Sequence, residues 1–176
     1  MLCVVGIDGM AYLDNIMYVV PCYTSKIHLY NTDTLSPLDV VIDVKGMINP
    51  RDIVACSHDR QLYVAEDFCI WRVSVDDHSY VKWLTTGSSC MKMGLHLSLR
   101  SRRLLLTTSQ PPRTVCEYST KNKELRVIKL PQYVEKCRAA HLTQHGTYVV
   151  SHTGTPQDER QYAVSELFTF CHVLQY

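Results

Sequence analysis

The sequence predicts an all-β protein: a β-propeller of about four four-stranded antiparallel blades, forming an open arc or part of a larger propeller. Three observations predict it. Short apolar runs alternate with turn-forming breaks along the whole chain. One landmark recurs at a nearly constant spacing. Each period holds up to four such runs, the pattern of a propeller blade.

The landmark is clearest in Gln61-Leu62-Tyr63-Val64-Ala65-Glu66. Its analogues are Ile16-Met17-Tyr18-Val19-Val20, Arg103-Leu104-Leu105-Leu106-Thr107 and Gly146-Thr147-Tyr148-Val149-Val150. The third residues fall at 18, 63, 105 and 148, with gaps of 45, 42 and 43. A run precedes each landmark: Gly9 to Tyr12, Asp52 to Ala55, Gly94 to Leu97 and Arg138 to His141. Another follows it: Ile27 to Tyr30, Ile70 to Val73, Val115 to Tyr118 and Tyr162 to Ser165. A fourth closes three of the units: Leu38 to Ile42, Tyr80 to Leu84 and Leu125 to Ile128.

Tyr, Val, Ile, Leu, Thr and Trp fill these runs, as strands prefer. The breaks Leu13-Asp14-Asn15, Ser57-His58-Asp59-Arg60, Val75-Asp76-Asp77-His78 and Gln144-His145-Gly146 carry turn formers. No stretch keeps apolar residues at a 3.6-residue period long enough for a helix. A β-sandwich also has short strands at regular spacing, but it need not repeat one landmark every 43 residues or so.

The blades are expected over residues 8–49, 50–92, 93–136 and 137–176, all in one domain. The last unit lacks a fourth strand, and residues 2–7 form a spare one. That strand can complete another blade and close a four-bladed ring. Alternatively the chain is a partial ring, which is the preferred reading here.

Pro50 to Val75 resembles an NHL repeat. Pro50 leads the first strand, Leu62-Tyr63-Val64-Ala65-Glu66 stands where that family has an "IYVAD"-like second strand, and Ile70-Trp71-Arg72-Val73 is a third strand with an arginine. The family's Asp-Gly turn before the second strand and its Asn-His-Arg after it are missing. The resemblance implies a six-bladed, TolB-like kind of propeller. For some members it also implies RNA binding through a basic surface, and for some similar propellers ester or lactone hydrolysis around a central metal.

Composition bounds the rest. At 46% apolar and 20% charged, the 176 residues match a soluble globular domain. No apolar run approaches the roughly 18 residues that span a bilayer, so no membrane is expected as partner. Residues 1–6 lack the basic start of a secretory signal. The eight cysteines are never closer than 13 residues apart. Without CxxC spacing they read as small buried residues in a reducing compartment, so a cytoplasmic location is expected.

Catalytic signatures are absent: there is no Gly-x-Ser-x-Gly, no P-loop and no Gly-x-Gly-x-x-Gly. A metal-dependent hydrolase needs axial carboxylates, and Asp8, Asp52, Glu66 and Asp67 are scattered across the first two units. His141, His145 and His152 read as solvent-facing residues of a hairpin rather than metal ligands. Trp71 and Trp83 read as packing between blades. No catalytic residue, metal or cofactor is therefore assigned, and no enzyme activity is expected.

Charge carries the functional lead. Residues 1–91 hold 6 basic and 11 acidic side chains, a net of −5. Residues 92–138 hold 11 and 3, a net of +8, and residues 139–176 hold 1 and 3. The candidate binding residues of the basic third unit are Arg100, Arg102, Arg103, Arg113, Lys121 and Lys123. In a four-stranded meander the first and third turns open at one end, so most of these share a rim. The expected function is a non-enzymatic scaffold for macromolecular, mainly protein–protein, interaction. The alternative is RNA or other polyanion binding at that rim, through phosphate contacts without base specificity. The rim also suits an acidic protein partner.

Overall fold

The computed structural model describes residues 6–86, 95–98, 103–107, 114–120, 123–131, 134, 137–143, 147–153 and 162–167. Among them are fifteen strands and no helix. Blade 1 is β1 (Ile7–Leu13), β2 (Ile16–Pro21), β3 (Lys26–Asn31) and β4 (Pro37–Asp43). Blade 2 is β5 (Pro50–Cys56), β6 (Gln61–Glu66), β7 (Cys69–Ser74) and β8 (Tyr80–Thr85). Blade 3 is β9 (Leu95–Ser98), β10 (Arg103–Thr107), β11 (Thr114–Ser119) and β12 (Lys123–Lys129). Blade 4 is β13 (Cys137–Leu142), β14 (Tyr148–Thr153) and β15 (Tyr162–Leu167). Every sheet is an antiparallel meander in sequence order. The first strands β1, β5, β9 and β13 touch in succession, which makes the sheets propeller blades.

Local chemistry explains the hairpins. Asp14 and Asn15, with φ of 50° and 60°, form the two-residue turn between β1 and β2. A turn with both central residues at positive φ matches strand twist, and Asp and Asn tolerate that region best after glycine. The second strands are the most buried: Leu62, Tyr63, Val64 and Ala65 of β6 are all at most 1% exposed. The outermost strands face solvent, and of β8 only Trp83 is fully buried. In blades 1 and 2 burial therefore peaks in the middle of the sheet.

Three apolar layers glue neighbouring blades. Tyr18, Val20 and Leu29 of blade 1 meet Ile53, Leu62, Val64 and Val73 of blade 2. Tyr63, Ala65 and Trp83 meet Leu104, Leu106, Cys116 and Tyr118 of blade 3. Leu105 and Val115 meet Ala140, Tyr148 and Val150 of blade 4. Both tryptophans lie in these layers. Trp83 packs edge-on to Tyr63 at 5.1 Å and Tyr118 at 6.4 Å. Gly9 permits the closest approach of blades 1 and 2: a Cβ there would stand 2.8 Å from the Ile53 nitrogen and 2.9 Å from the Asp52 Cα.

These layers adjust the repeat. Tyr63 looks toward the next blade, whereas Tyr148 looks back toward blade 3. Side chains alternate faces, so Val149 is the true counterpart of Tyr63 and the fourth repeat sits one residue later than its Tyr suggests. β14 also runs on to Thr153. His152 thereby falls in the strand and is 3% exposed. The expectation of a solvent-facing histidine at 152 is corrected; His145 lies outside the described residues, as does the His141 side chain. Gly6 and Ile7 prolong the inner strand of blade 1, for the Gly6 carbonyl accepts a bond from the Cys22 N–H at 2.8 Å and Ile7 pairs with Pro21. Residues 2–5 of the expected spare strand lie outside the described residues.

Candidate functional site

Two surfaces stand out, an apolar blade face and a polar cleft. The face follows from the register. Met10 pairs with Val19 and Val19 with His28. In blade 2 the same positions are Ile53, Val64 and Trp71. Likewise Tyr12, Met17 and Tyr30 correspond to Ala55, Leu62 and Val73. On blade 2 this face is sealed by blade 1, with Ile53, Leu62, Val64 and Val73 at 0–1% exposure. On blade 1 Met10 is 59% and Tyr12 61% exposed, and Val41 beyond His28 is 44% exposed. Among the described residues no strand packs on this face as β1 packs on β5. Met10, Tyr12 and Val41 are of core type yet exposed, whereas Met17 and Tyr30 are half-buried and Val19 is buried.

The cleft, about 550 Å³ in volume, lies where blades 2 and 3 diverge. Gln61 and Tyr63 of β6, Arg72 and Ser74 of β7, and Ser79 and Tyr80 around the following turn line one wall. Asp59 and Thr120 close the turn end. Arg72 pairs with Tyr63, on the face turned toward blade 3. Blade 1 has Leu29 at this position and blade 3 has Glu117, and both are buried. An arginine cannot be sealed into an apolar layer without a partner, so the blades part and a cleft opens.

Neighbouring charges are already engaged. Arg51 donates to Asp67 at 2.8 Å. Arg60 joins the blades, bonding Asp14 of blade 1 and Asp76 at 2.7 Å. Asp59 is drawn by burial upward, but bonds from His58, Thr120 and Cys56 outweigh that and hold its carboxyl below the usual range. Asp77 is lowered to about 2 by the hydroxyls of Ser74 and Ser79 and the Ser79 N–H.

Of the six basic candidates, Arg103 and Lys123 begin β10 and β12 and both stand opposite Ser119, which brings them to one end of blade 3. Arg103 also lies 3.4 Å from both carboxylate oxygens of the buried Glu117, so part of its charge is answered within the blade. Arg100, Arg102, Arg113 and Lys121 lie outside the described residues.

Three of the four carboxylates weighed for a metal site, Glu66, Asp67 and Asp52, have structural work, while Asp8 Oδ2 is buried without a hydrogen-bond partner among the described residues. Glu66 Oε1 accepts from the Ile48 and Asn49 N–H groups at 2.7 and 3.3 Å. Its Oε2 accepts from Trp71 Nε1 at 2.8 Å and the Cys69 thiol at 3.1 Å. Burial pushes the Glu66 carboxyl up, and these four donors pull it below the usual range. Asp67 takes Arg51 and the Asn49 amide, and Asp52 accepts from the Ile53 N–H.

The Arg72 cleft escaped the sequence reading, although its signal was present: a lone charge inside the apolar run Cys69 to Val73. The open face escaped because Met10, Tyr12 and Met17 read as ordinary core.

No protein-family model matches the chain, and no curated protein matches it either. Solved structures do. The chain is similar to one in the crystal structure of a nidogen/laminin complex, at 13% identity and a TM-score of 0.71, over 90% of this chain and 64% of that one. It is similar to the computationally designed Ika4 protein at 14% identity and a TM-score of 0.64, over 94% of this chain and 92% of that one. The designed Ika8 protein gives 13% and 0.60, over 92% of this chain and 46% of that one. The chain thus spans less than two thirds of the first and under half of the last. At such identities the likeness concerns the fold alone, and it agrees with an all-β chain of propeller blades.

Proposed function

We propose that this chain is a non-enzymatic β-propeller scaffold of NHL-like kind whose task is to bind protein. The observation that carries the reading is the apolar face of blade 1, on which no described strand packs. Met10, Tyr12 and Val41 are exposed on it with Met17 and Tyr30 half-buried beside them, and the equivalent face of blade 2 is sealed by a blade. Contiguous exposed apolar surface of this kind marks contact with another protein surface. The similar structure described as a nidogen/laminin complex fits such a role.

Photo-crosslinking tests it. Benzoylphenylalanine placed at Tyr12 is expected to give discrete protein adducts in cells, and the same group at the exposed Thr85 of blade 2 is not. Equal yields at the two positions would count against the reading. Titration with a single-stranded RNA at rising salt examines the alternative: affinity that is lost with the steep slope of phosphate binding would favour the basic third blade.

A further inference from the structure

We infer that the cleft between blades 2 and 3 is a second binding site, independent of the blade 1 face, which receives a glutamate or aspartate side chain of an extended peptide on Arg72. The charge accounting carries it. Among the described residues Arg51, Arg60 and Arg103 each meet a carboxylate, and Arg126 lies over the Tyr148 ring. Arg72 meets neither, though it is half-buried in a cleft. A guanidinium in such surroundings lacks the bidentate acceptor that suits its fork of donors.

The walls describe the ligand. The Gln61 side-chain amide offers a hydrogen bond, and the volume of about 550 Å³ suits a side chain with its flanking backbone. Charge decides between a carboxylate and a phosphate. Asp59 lines the same cleft, and the Asp77 carboxylate is held by Ser74 and Ser79 of its wall, so negative charge already adjoins Arg72. That charge opposes a dianion or a nucleic-acid backbone more strongly than a singly charged carboxylate. Val81, 46% exposed and paired with Arg72, adds an apolar surface for the ligand's methylenes.

The probes are N-acetyl-Gly-Glu-Gly-amide, its Gln analogue and inorganic phosphate, and the readout is the Arg72 Nε–H resonance of the full chain by NMR. The Glu peptide is expected to shift it saturably, and the Gln peptide at least tenfold more weakly. R72Q, its fold checked by thermal melting, is expected to abolish the peptide-induced shifts of the Ser74 and Tyr80 amides. Equal shifts with the Gln peptide would overturn the inference. So would stronger binding of phosphate, or peptide binding that survives R72Q. The Gln comparison uses the unmutated chain and stands even if R72Q does not fold.

Discussion

Replacing Gly9 with alanine probes how tightly blades 1 and 2 are held. The new Cβ would lie 2.8 Å from the Ile53 nitrogen, 2.9 Å from the Asp52 Cα and 3.0 Å from Asp52 Oδ1. Ordinary contact begins near 3.4 Å, so β1 and β5 must separate by about 0.6 Å. Two of the three obstructing atoms are backbone, and no rotamer change relieves them. The layer beneath includes Val20, Ile53 and Val64, each at most 1% exposed, so the separation loosens close packing. Overpacking of this kind costs about 1–3 kcal/mol. For a domain of this size that lowers Tm by about 2–4 °C per kcal/mol, or roughly 2–12 °C in all. Thermal and urea melts of G9A beside the parent chain measure it. An unchanged Tm would refute the close approach of β1 to β5, and with it the packing of blade 1 on blade 2.

Leu62→Ala empties a site of 0% exposure in the same layer, and equilibrium urea melts are expected to show a loss of about 2–5 kcal/mol. Glu66 has a depressed carboxyl pKa, so its contribution is present above the ordinary glutamate range and disappears as pH falls through its folded value. E66Q is accordingly expected to be less stable at pH 7 and to flatten the acid side of the stability profile; an unchanged profile would exclude Glu66 as a source of acid sensitivity. Burial, with the Glu66 carboxylate nearby, raises the Cys69 thiol to about 12, and burial also raises Cys56. Iodoacetamide at pH 8 should therefore modify neither cysteine in the native chain and both in urea, as peptide mass mapping will show.

Most of the fold was legible because a blade is built from local rules. Each apolar run of strand-forming residues became a strand, and the described breaks, such as Asp14-Asn15, became turns. Face assignment was less legible. Tyr148 looked like the partner of Tyr63, but only the layer it joins shows that it points the other way. The sites were harder still. Hydrophobicity says that Met10 and Tyr12 seek cover, and nothing in one sequence says whether a neighbouring blade supplies it. Arg72 read as a repeat feature; its meaning lies in Leu29 and Glu117, its structural counterparts, which are sealed where it is not. Arg103 looked like a free rim cation because its partner Glu117 lies fourteen residues away, inside an apolar run.

Methionine oxidation tests the open face most directly. Met10 is 59% exposed on the blade 1 face, and Met47 is 2% exposed between blades 1 and 2. At a concentration where sedimentation shows the chain to be monomeric, dilute hydrogen peroxide is expected to oxidise Met10 quickly and Met47 only on unfolding. Met10 as protected as Met47 would mean that the face is already covered, and would contradict its role as the protein-binding surface.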